Sequence, residues 1–574
     1  MTNREAQPRA TRHAERRSAA EVDPSASRRE FLTRIPGAAV ITAAATAVSF
    51  GASAQEVLKA SDAVGEMRAM ASYQNRVEAA AAELSIPVPA QVTNGDERDH
   101  HLHHLGNFSK GLPHNSIGEV DASAYRALVR AVGRGTAAAF EQVRLGGNTP
   151  LVNPLAGVAF DLQGTDSHQL TIPPFPSVVS QDLADQAVEL YWMALCRDVS
   201  FTDYPTDATA LAAAAELSRL TAFRGPRDYQ GAVTPQTLFR GFTAEDMIGP
   251  YVSQFLLKPF NYGPYAMNGT MAMYVRGVDY MTDQDSWLAV QNGQGPFNPN
   301  PLGPVRFTRT GRDLTVYVHT DPNAGLLMSF YNAGIWLFER GAPLNPGNPY
   351  TRYKTQTGFA TFGIPHFLGL LGEAKQRACK AAWYAKWFVH RALRPEAYGG
   401  LVHMTMTGQA NYPLHRDVAN SVALVRVSSN YHTCFLPQAF PEGCPQHPSY
   451  PQGHASMAGA CATILKAAFD GSVQFNTLGD RRIVTASADG LSLVDYNGSD
   501  ANQITVNGEI NKLASNIGQG RDFAGIHWRS DYEWGLKLGE EVAISILRDQ
   551  SNIYVGEDFD GFIITKFDGT TVVV

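Results

Sequence analysis

Apolar residues recur along most of this chain at the spacing of one helical face, three and four residues apart. Gly- and Pro-rich loops separate these runs, for example NGQGPFNPNPLGP from residue 292. The pattern predicts a mainly α-helical fold. The predicted helices cover residues 61–84, 122–143, 182–196, 207–223, 234–256, 314–338, 378–386, 415–428 and 455–469.

Two segments depart from helical spacing and alternate between apolar and polar residues. The first lies within residues 471–508, in runs such as RRIVTAS and QITVNG. The second is the C-terminal FIITKFDGTTVVV, in which Asp568-Gly569 is the kind of dipeptide that closes a hairpin. We therefore predict one β-hairpin in a late loop and one at the C-terminus.

The composition is that of an ordinary globular protein, with 44% hydrophobic, 18% charged and 10% aromatic residues. The net charge of −7 and the pI near 6.2 argue against nucleic acid as a partner. A chain of 574 residues exceeds what one hydrophobic core usually serves. We expect a leader (1–54), an N-terminal helical region (55–345), a C-terminal helical region with the candidate chemistry (346–550) and a hairpin tail (551–574).

The first 54 residues have the features of an export signal. A polar, Arg-rich start leads to SRREFL at residues 27–32, then to the weakly apolar IPGAAVITAAATAVSF and to ASA ending at Ala54. This order predicts a twin-arginine signal cleaved after Ala54, and hence a periplasmic or secreted protein. A disordered tail is the alternative interpretation. No later run suggests a membrane span.

The five cysteines follow no spacing typical of a metal site. In an exported protein, Cys434 and Cys444 are the best candidates for a disulfide, which would close a short loop. The alternative is that all five cysteines are buried thiols.

Three segments in the last third of the chain carry the candidate chemistry. They begin at Lys386 (KWFVHRALRPEAYGG), at His447 (HPSYPQGHASMAGACATILKAAF) and at Gly508 (GEINKLASNIGQGRDFAGIHWRSDYEWGLKLGEEVAI). Together they offer fixed cations and titratable imidazoles that suit a small, multiply charged oxyanion of phosphate shape. These residues are Lys386, Arg394, Arg521, His454 and His527.

Local geometry favours a common pocket for the first two segments. Lys386 lies in the last turn of a predicted helix, and Arg394 precedes Pro395, a position that favours extended backbone. Both side chains can therefore face one pocket. Gly453 and His454 precede a run of good helix formers, so we place them at a helix N-terminus, where free N–H groups favour an anion.

In the third segment, His527 and Asp531 are four residues apart, which predicts that they lie on one helical face. The carboxylate can then hold one ring nitrogen of His527 and leave the other free. Arg521 comes before Gly525 and is predicted in the loop that leads to this helix. Each feature alone is common in proteins, but the order and spacing of the three segments together are not.

These segments resemble the type-2 phosphatidic-acid phosphatase superfamily, whose signature runs Lys…Arg-Pro, Pro-Ser-Gly-His and Arg-x5-His-x3-Asp. They resemble its vanadium-dependent haloperoxidase branch more closely. The gap from Lys386 to Arg394 is one residue longer than in the phosphatases, and VHRALRPEA, GEINKLASNI and HWRSD are typical of that branch. The resemblance covers roughly residues 360–550. It implies a mainly α fold of helical bundles with minor β-hairpins, and a vanadate cofactor.

The resemblance also implies a role for each site residue. His527 Nε2 would bind the vanadium of vanadate while Asp531 holds its other ring nitrogen, and His454 would be the acid–base group that deprotonates hydrogen peroxide. Lys386 would assist catalysis by hydrogen-bonding the bound peroxide. The groups expected on the vanadate oxygens are Lys386, Arg394, Gln452, the Gly453 N–H and Arg521.

Gln452 departs from the family pattern, since it stands where the motif has Ser before Gly-His. A serine hydroxyl would donate to vanadate, and the Gln amide can also donate, from a longer arm. We therefore expect Gln452→Ser to keep or improve vanadate affinity.

Two positions bear on the halide. His447 lies seven residues before His454, where bromoperoxidase-type members carry His and chloroperoxidase-type members carry Phe. Trp383 lies three residues before Lys386, where both groups carry Trp. The resemblance thus implies oxidation of bromide and iodide, in preference to chloride, to hypohalous acid. A structural His447 in a Pro-rich loop is the alternative.

Two other functions fit the same pocket. One is an exported acid phosphatase with His527 as nucleophile and His454 as leaving-group acid. The other is a non-catalytic oxyanion-binding protein in which Gln452 marks loss of activity. For the haloperoxidase, the expected partners are hydrogen peroxide, a halide and a small organic acceptor. Family members are commonly oligomers, so we also expect a homo-oligomer.

Overall fold

The computed structural model describes residues 54–319 and 324–574. The predicted export signal, residues 1–54, lies outside the described residues except for Ala54. Among the described residues, we find no helix with the length and hydropathy of a membrane span.

The chain divides into two compact units, residues 1–70 and 71–574. The described part of the first unit, residues 54–70, belongs to the long helix α1. The second unit contains the rest of α1 and the other described elements. The α-helices are α1 (Ala54–Ser85), α2 (Asp96–Asp99), α3 (Ala122–Arg134), α4 (Ala137–Phe140), α5 (Gln181–Cys196), α6 (Ala208–Leu217), α7 (Gln284–Gln291), α8 (Gly311–Tyr317), α9 (Ala324–Glu339), α10 (Ile364–Tyr384), α11 (Pro395–Met406), α12 (Arg416–Ala419), α13 (Val422–Tyr431), α14 (Gly453–Ala468), α15 (Val506–Phe523) and α16 (Arg529–Ser551).

The β-structure of the described residues consists of separate two-stranded antiparallel sheets, each a local hairpin or a pair of nearby strands. The strands are β1 (Phe260–Tyr262), β2 (Tyr265–Met267), β3 (Met271–Tyr274), β4 (Leu302–Arg306), β5 (Val484–Ala486), β6 (Leu493–Asp495), β7 (Ile563–Thr565) and β8 (Thr571–Val573).

Helix α14 lies at the centre of a bundle in which α10, α15 and α16 pack around it. All of its residues except His454 are buried. Glycines set the close approach of α14 and α16: a Cβ at Gly539 would lie 1.9 Å from the Ser456 carbonyl oxygen, and a Cβ at Gly459 would lie 2.2 Å from that of Leu536. The N-terminal ends of α14 and α16 consequently meet.

The mainly helical fold is confirmed, and so are most predicted helices. Residues 234–256 are the exception, because they form turns that end in a short 3-10 helix, Gln254–Leu256. Arg240 donates there to three nearby backbone carbonyls, so side-chain hydrogen bonds satisfy groups that a helix would pair internally. The predicted helix 415–428 is divided in two because Ser421 starts a new helix as its N-cap.

Both predicted hairpins are present, β5–β6 in the late loop and β7–β8 around Asp568-Gly569. The sequence reasoning missed the pairs β1–β2 and β3–β4. Strands β1, β2 and β3 lie in the aromatic-rich runs FNYGPYAM and MAMYVRGVDYM, whereas β4 lies at the end of the Gly- and Pro-rich stretch from residue 292. Gly263 has φ +58° in the turn between β1 and β2, a backbone conformation that glycine adopts readily.

The predicted disulfide is wrong, because all five cysteines are free thiols and four of them are buried. Different neighbours hold the two candidate partners apart. The Cys434 N–H donates to His403 Nδ1 at 3.1 Å, whereas the Cys444 thiol lies 3.6 Å from the Ile526 carbonyl oxygen. The alternative interpretation, five buried thiols, is correct for four of them, and Cys379 is partly exposed.

Candidate functional site

Lys386 is fully buried in a π-turn that follows helix α10. From this turn, Ala385–His390, its Nζ donates to the Pro448 carbonyl oxygen at 2.8 Å and also to the Ser449 carbonyl oxygen. The Trp383 ring centroid lies 6.0 Å from Nζ. Single π-turns inside or at the end of helices are frequent at functional sites.

Arg394 links the first segment to the other two. It is the N-cap residue of α11, with extended backbone before Pro395 at the first helical position. Its Nε donates to the His447 carbonyl oxygen at 2.9 Å. Its Nη1 donates to the Ile526 carbonyl oxygen at 2.8 Å and to His527 Nε2 at 2.9 Å. Segments that are distant along the chain therefore meet at one guanidinium group.

His527 and Asp531 do not lie on one helical face, so that prediction is wrong. His527 precedes α16, Trp528 is the N-cap residue, and Asp531 lies in the first turn. Asp531 Oδ2 accepts from His527 Nδ1 at 2.7 Å, from the Trp528 N–H at 3.2 Å and from the Ser449 hydroxyl. The network assigns the proton to His527 Nδ1 and leaves the Nε2 lone pair facing Arg394.

The sequence reasoning missed Ser449, which donates to the carboxylate that orients His527. The signal for it was weak. Ser449 lies inside the motif HPSYPQGH, but its partner Asp531 is distant along the chain. Only the meeting of α14 and α16 brings the two together.

Arg521 lies in the last turn of α15 rather than in a loop, because the helix continues to Phe523 and the chain reverses only at Gly525, with φ +80°. Its Nη1 donates to the Val318 carbonyl oxygen at 2.7 Å, and its guanidinium carbon lies 5.7 Å from the Phe440 ring centroid. Its Nε is buried and has no hydrogen-bond partner among the described residues. Part of its donor capacity is therefore unused.

The N-terminus of α14 is at the predicted position. Gly453 is its first residue, and the N-cap residue Gln452 makes no side-chain capping bond, so the first-turn N–H groups are not capped. A Cβ at Gly453 would lie 2.9 Å from the Trp383 ring. His454 Nε2 is buried, and the described part of the chain offers it no hydrogen-bond partner.

The Gln452 amide contacts a neighbouring helix. Its Nε2 donates to the Gly518 carbonyl oxygen on α15 at 3.0 Å, and its Oε1 has no partner in the described ranges. One of the two N–H bonds of the amide is therefore engaged with α15.

The two residues singled out for the halide lie beside these cations. The rings of His447 and Trp383 are 4.6 Å apart between centroids. His447 Nδ1 lies 3.0 Å from Arg394 Nη2, and the side chain is 7% exposed. Trp383 therefore lies beside Lys386, and His447 lies beside Arg394.

The site concentrates buried positive charge. Lys386, Arg394 and Arg521 are 0%, 1% and 6% exposed. Burial lowers the pKa of all three groups, and repulsion from Arg394 lowers the pKa of Lys386 and of Arg521 further. Asp531 is the carboxylate that lies among them, and burial raises its pKa to about 6. Such an excess of buried cations is costly unless an anion neutralises it.

The same field acts on the imidazoles. Burial and then Arg394 hold the pKa of His447 and of His527 well below its usual value, and burial and then Arg521 do so for His454. All three rings are therefore neutral near pH 7. In chemical terms, the site offers cationic donors, open helix N–H groups, a histidine lone pair and a neutral histidine base.

Comparison with known proteins places this arrangement in a family. A family model, the VCPO second helical-bundle domain, matches residues 366–555. The chain is 36% identical to a vanadium-dependent bromoperoxidase of Ascophyllum nodosum, over 87% of this chain and 92% of that protein. It is 33% identical to one of Corallina pilulifera, over 88% of this chain and 98% of that protein. This chain belongs to the vanadium-dependent haloperoxidase family.

The fold agrees with this haloperoxidase assignment. A solved homohexameric vanadate-dependent bromoperoxidase from Ascophyllum nodosum matches with a TM-score of 0.82 and 30% identity, over 94% of this chain and 95% of that one. The resemblance to the haloperoxidase branch, first seen in three segments, therefore extends over nearly the whole chain. The predicted fold of the haloperoxidase type is confirmed.

Proposed function

We propose that this protein is a vanadate-dependent bromoperoxidase, which oxidises bromide and iodide with hydrogen peroxide to hypohalous acid. One observation carries the proposal. Lys386, Arg394 and Arg521 are buried, Arg394 donates to His527 Nε2, and the positive charges of all three lower the pKa of His527, whose Nδ1 is bonded to Asp531. A bound oxyanion with several negative charges would balance this pocket.

The residues present fit vanadate. His527 Nε2 is held as an acceptor because Nδ1–H is bonded to Asp531, so it can bind the metal. Unused donor capacity lies at Arg521 Nε and at the uncapped N-terminus of α14, which begins with Gly453. With Lys386 and Arg394, these groups would hold the vanadate oxygens.

When bound, vanadate would supply a Lewis acid that makes peroxide electrophilic toward halide without a change in oxidation state. The chain supplies the proton chemistry. His454 Nε2 is buried and unpartnered within the described residues, and the low pKa keeps the ring neutral. It can therefore accept a proton from hydrogen peroxide. Lys386 Nζ is held by the Pro448 and Ser449 carbonyls, and its third N–H would be available as a hydrogen-bond donor to hydrogen peroxide.

We assign the preference for bromide and iodide over chloride to His447 and Trp383. The two rings pack 4.6 Å apart beside Lys386 and Arg394, and His447 replaces the apolar Phe of chloroperoxidase-type members. A neutral imidazole at this position places a polar ring beside the halide, and bromide and iodide are larger and more weakly hydrated than chloride.

One set of assays tests the proposed function. Purified apoprotein receives vanadate, hydrogen peroxide and bromide with a phenolic acceptor, and a parallel sample receives a phosphate ester. We expect bromination that requires vanadate and that phosphate suppresses by competing for the pocket. Hydrolysis of the ester without bromination would favour the acid phosphatase, and inactivity in both assays with vanadate still bound would favour a non-catalytic protein.

We further propose that the chain is exported by the twin-arginine route, supported by SRREFL and the ASA before residue 55. Fusion of residues 1–54 to a reporter tests this, and a Lys-Lys replacement of Arg28 and Arg29 should abolish export.

We also propose a homo-oligomer, supported by the homohexameric relative. Light scattering of the purified protein should give a mass several times 62.3 kDa, whereas a monomer mass contradicts it.

A further inference from the structure

Gln452 joins three helices of the bundle. It is fully buried and is the N-cap residue of α14. Its backbone N–H donates to the Asp531 carbonyl oxygen at 2.9 Å, at the start of α16. Its side-chain Nε2 donates to the Gly518 carbonyl oxygen at 3.0 Å, on α15. One residue thus ties the N-terminus of α14 to both helices that carry the third segment.

The bond to α15 depends on the length of the side chain. A serine side chain ends two bonds earlier than the Gln amide nitrogen, so it would not span from α14 to the same carbonyl. The Gln452 amide nitrogen has two N–H bonds, and one of them is committed to the Gly518 carbonyl. The substitution in this chain therefore adds a link between helices that serine would not make.

The link acts on the part of α15 that carries a cation. Gly518 lies one turn before Arg521 on the same helix. Helix α15 also packs tightly on α16, since a Cβ at Gly518 would lie 2.2 Å from the Tyr532 ring. The bond from Gln452 to Gly518 therefore ties the N-terminus of α14 to the turn of α15 that precedes Arg521. Loss of this bond would let that turn, and Arg521 with it, shift relative to the helix N-terminus.

We propose that Gln452 is a positioning residue for the oxyanion site: it fixes Arg521 against the N-terminus of α14 through the Gly518 carbonyl and does not itself bind the anion. This inference deepens the proposed function and rests on it. It also revises the expectation for Gln452→Ser, which now loses a link while it gains a hydroxyl donor.

Two variants isolate the link. Gln452→Met keeps the length of the side chain and removes the donor, while the backbone bond to Asp531 remains. Ser456→Ala is the matched control, since the Ser456 hydroxyl donates at 3.0 Å to the Gln452 carbonyl oxygen at the start of its own helix. Vanadate and phosphate affinities are measured on the full chain by calorimetry and by vanadium NMR, independently of turnover.

We expect Gln452→Met to weaken vanadate binding about tenfold, the lower end of losses seen for groups that orient a metal site. Ser456→Ala should leave the affinity unchanged. In an Arg521→Ala background, Gln452→Met should change the affinity less than twofold, because the cation that it positions is absent. A merely structural role would show in the melting temperature and would not depend on Arg521.

Two results overturn the inference: an unchanged affinity in Gln452→Met, or the same loss with and without Arg521, as a direct donor would give. The failure of the proposed function looks different. In that case the wild-type protein would bind neither vanadate nor phosphate, or would bind them without bromination.

Discussion

Gly453→Ala tests the packing at the oxyanion site with the addition of one methyl group. The new Cβ would lie 2.9 Å from the Trp383 ring and 3.9 Å from Lys386 Cε, whereas ordinary contacts are 3.4–4 Å. The ring must therefore move by about half an ångström, at a cost of about 1–3 kcal/mol for overpacking. Replacing a helical glycine by alanine returns up to about 1 kcal/mol. The net cost to folding is then about 0–3 kcal/mol, and the methyl group lies against both Trp383 and Lys386 at the helix N-terminus.

We expect vanadate affinity to fall about 10- to 100-fold in this variant, as for other changes beside a metal site. Titration followed by vanadium NMR measures the affinity, and circular dichroism measures the melting temperature. Gly369→Ala is the control, since it adds a methyl group to α10 with no atom within 4 Å and should leave vanadate affinity unchanged. A Gly453→Ala protein that binds vanadate as tightly as the wild type would refute the proposed position of the anion.

Three further predictions follow from the same contacts. His527→Ala should remain folded and lose nearly all vanadate-dependent bromination, so retained turnover would show that another group holds the vanadium. Ser449→Ala removes one of the three hydrogen-bond donors to the Asp531 carboxylate. We expect vanadate binding, measured by calorimetry, to weaken about tenfold. An unchanged affinity would mean that His527 and Trp528 are sufficient to hold the carboxylate. In the folded apoprotein, the pKa of His454 and of His527 lies well below the ordinary 6.5. The unfolded chain therefore binds more protons, and the stability of the fold decreases as the pH drops below 6.5. Thermal melts from pH 7.5 to 5 should show this loss of stability, phosphate should reduce it, and a flat profile would contradict the prediction.

Local rules predicted the parts of the site that depend on local geometry. Arg394 has extended backbone because a proline follows it, and Gly453 begins a helix because good helix formers follow a turn. The chemistry was readable as well, because Lys386 and His527 lie in segments with family-specific spacing. These features need only a few neighbouring residues.

Tertiary contacts decided what the sequence reasoning missed. Arg521 stays helical although glycines flank it, since α15 is buried along its whole length. Asp531 holds His527 across a helix N-terminus rather than along a helical face. The Gln452 amide bonds to Gly518, and no local pattern specifies that partner. Each of these depends on how helices pack in the bundle.

The most direct test of the central claim is a crystal structure of the protein soaked with vanadate, with anomalous diffraction used to locate the vanadium. The account predicts one strong anomalous peak at bonding distance from His527 Nε2, surrounded by Lys386, Arg394 and Arg521. A vanadium peak elsewhere in the molecule, or no peak in a crystal of protein that brominates with vanadate, would contradict it.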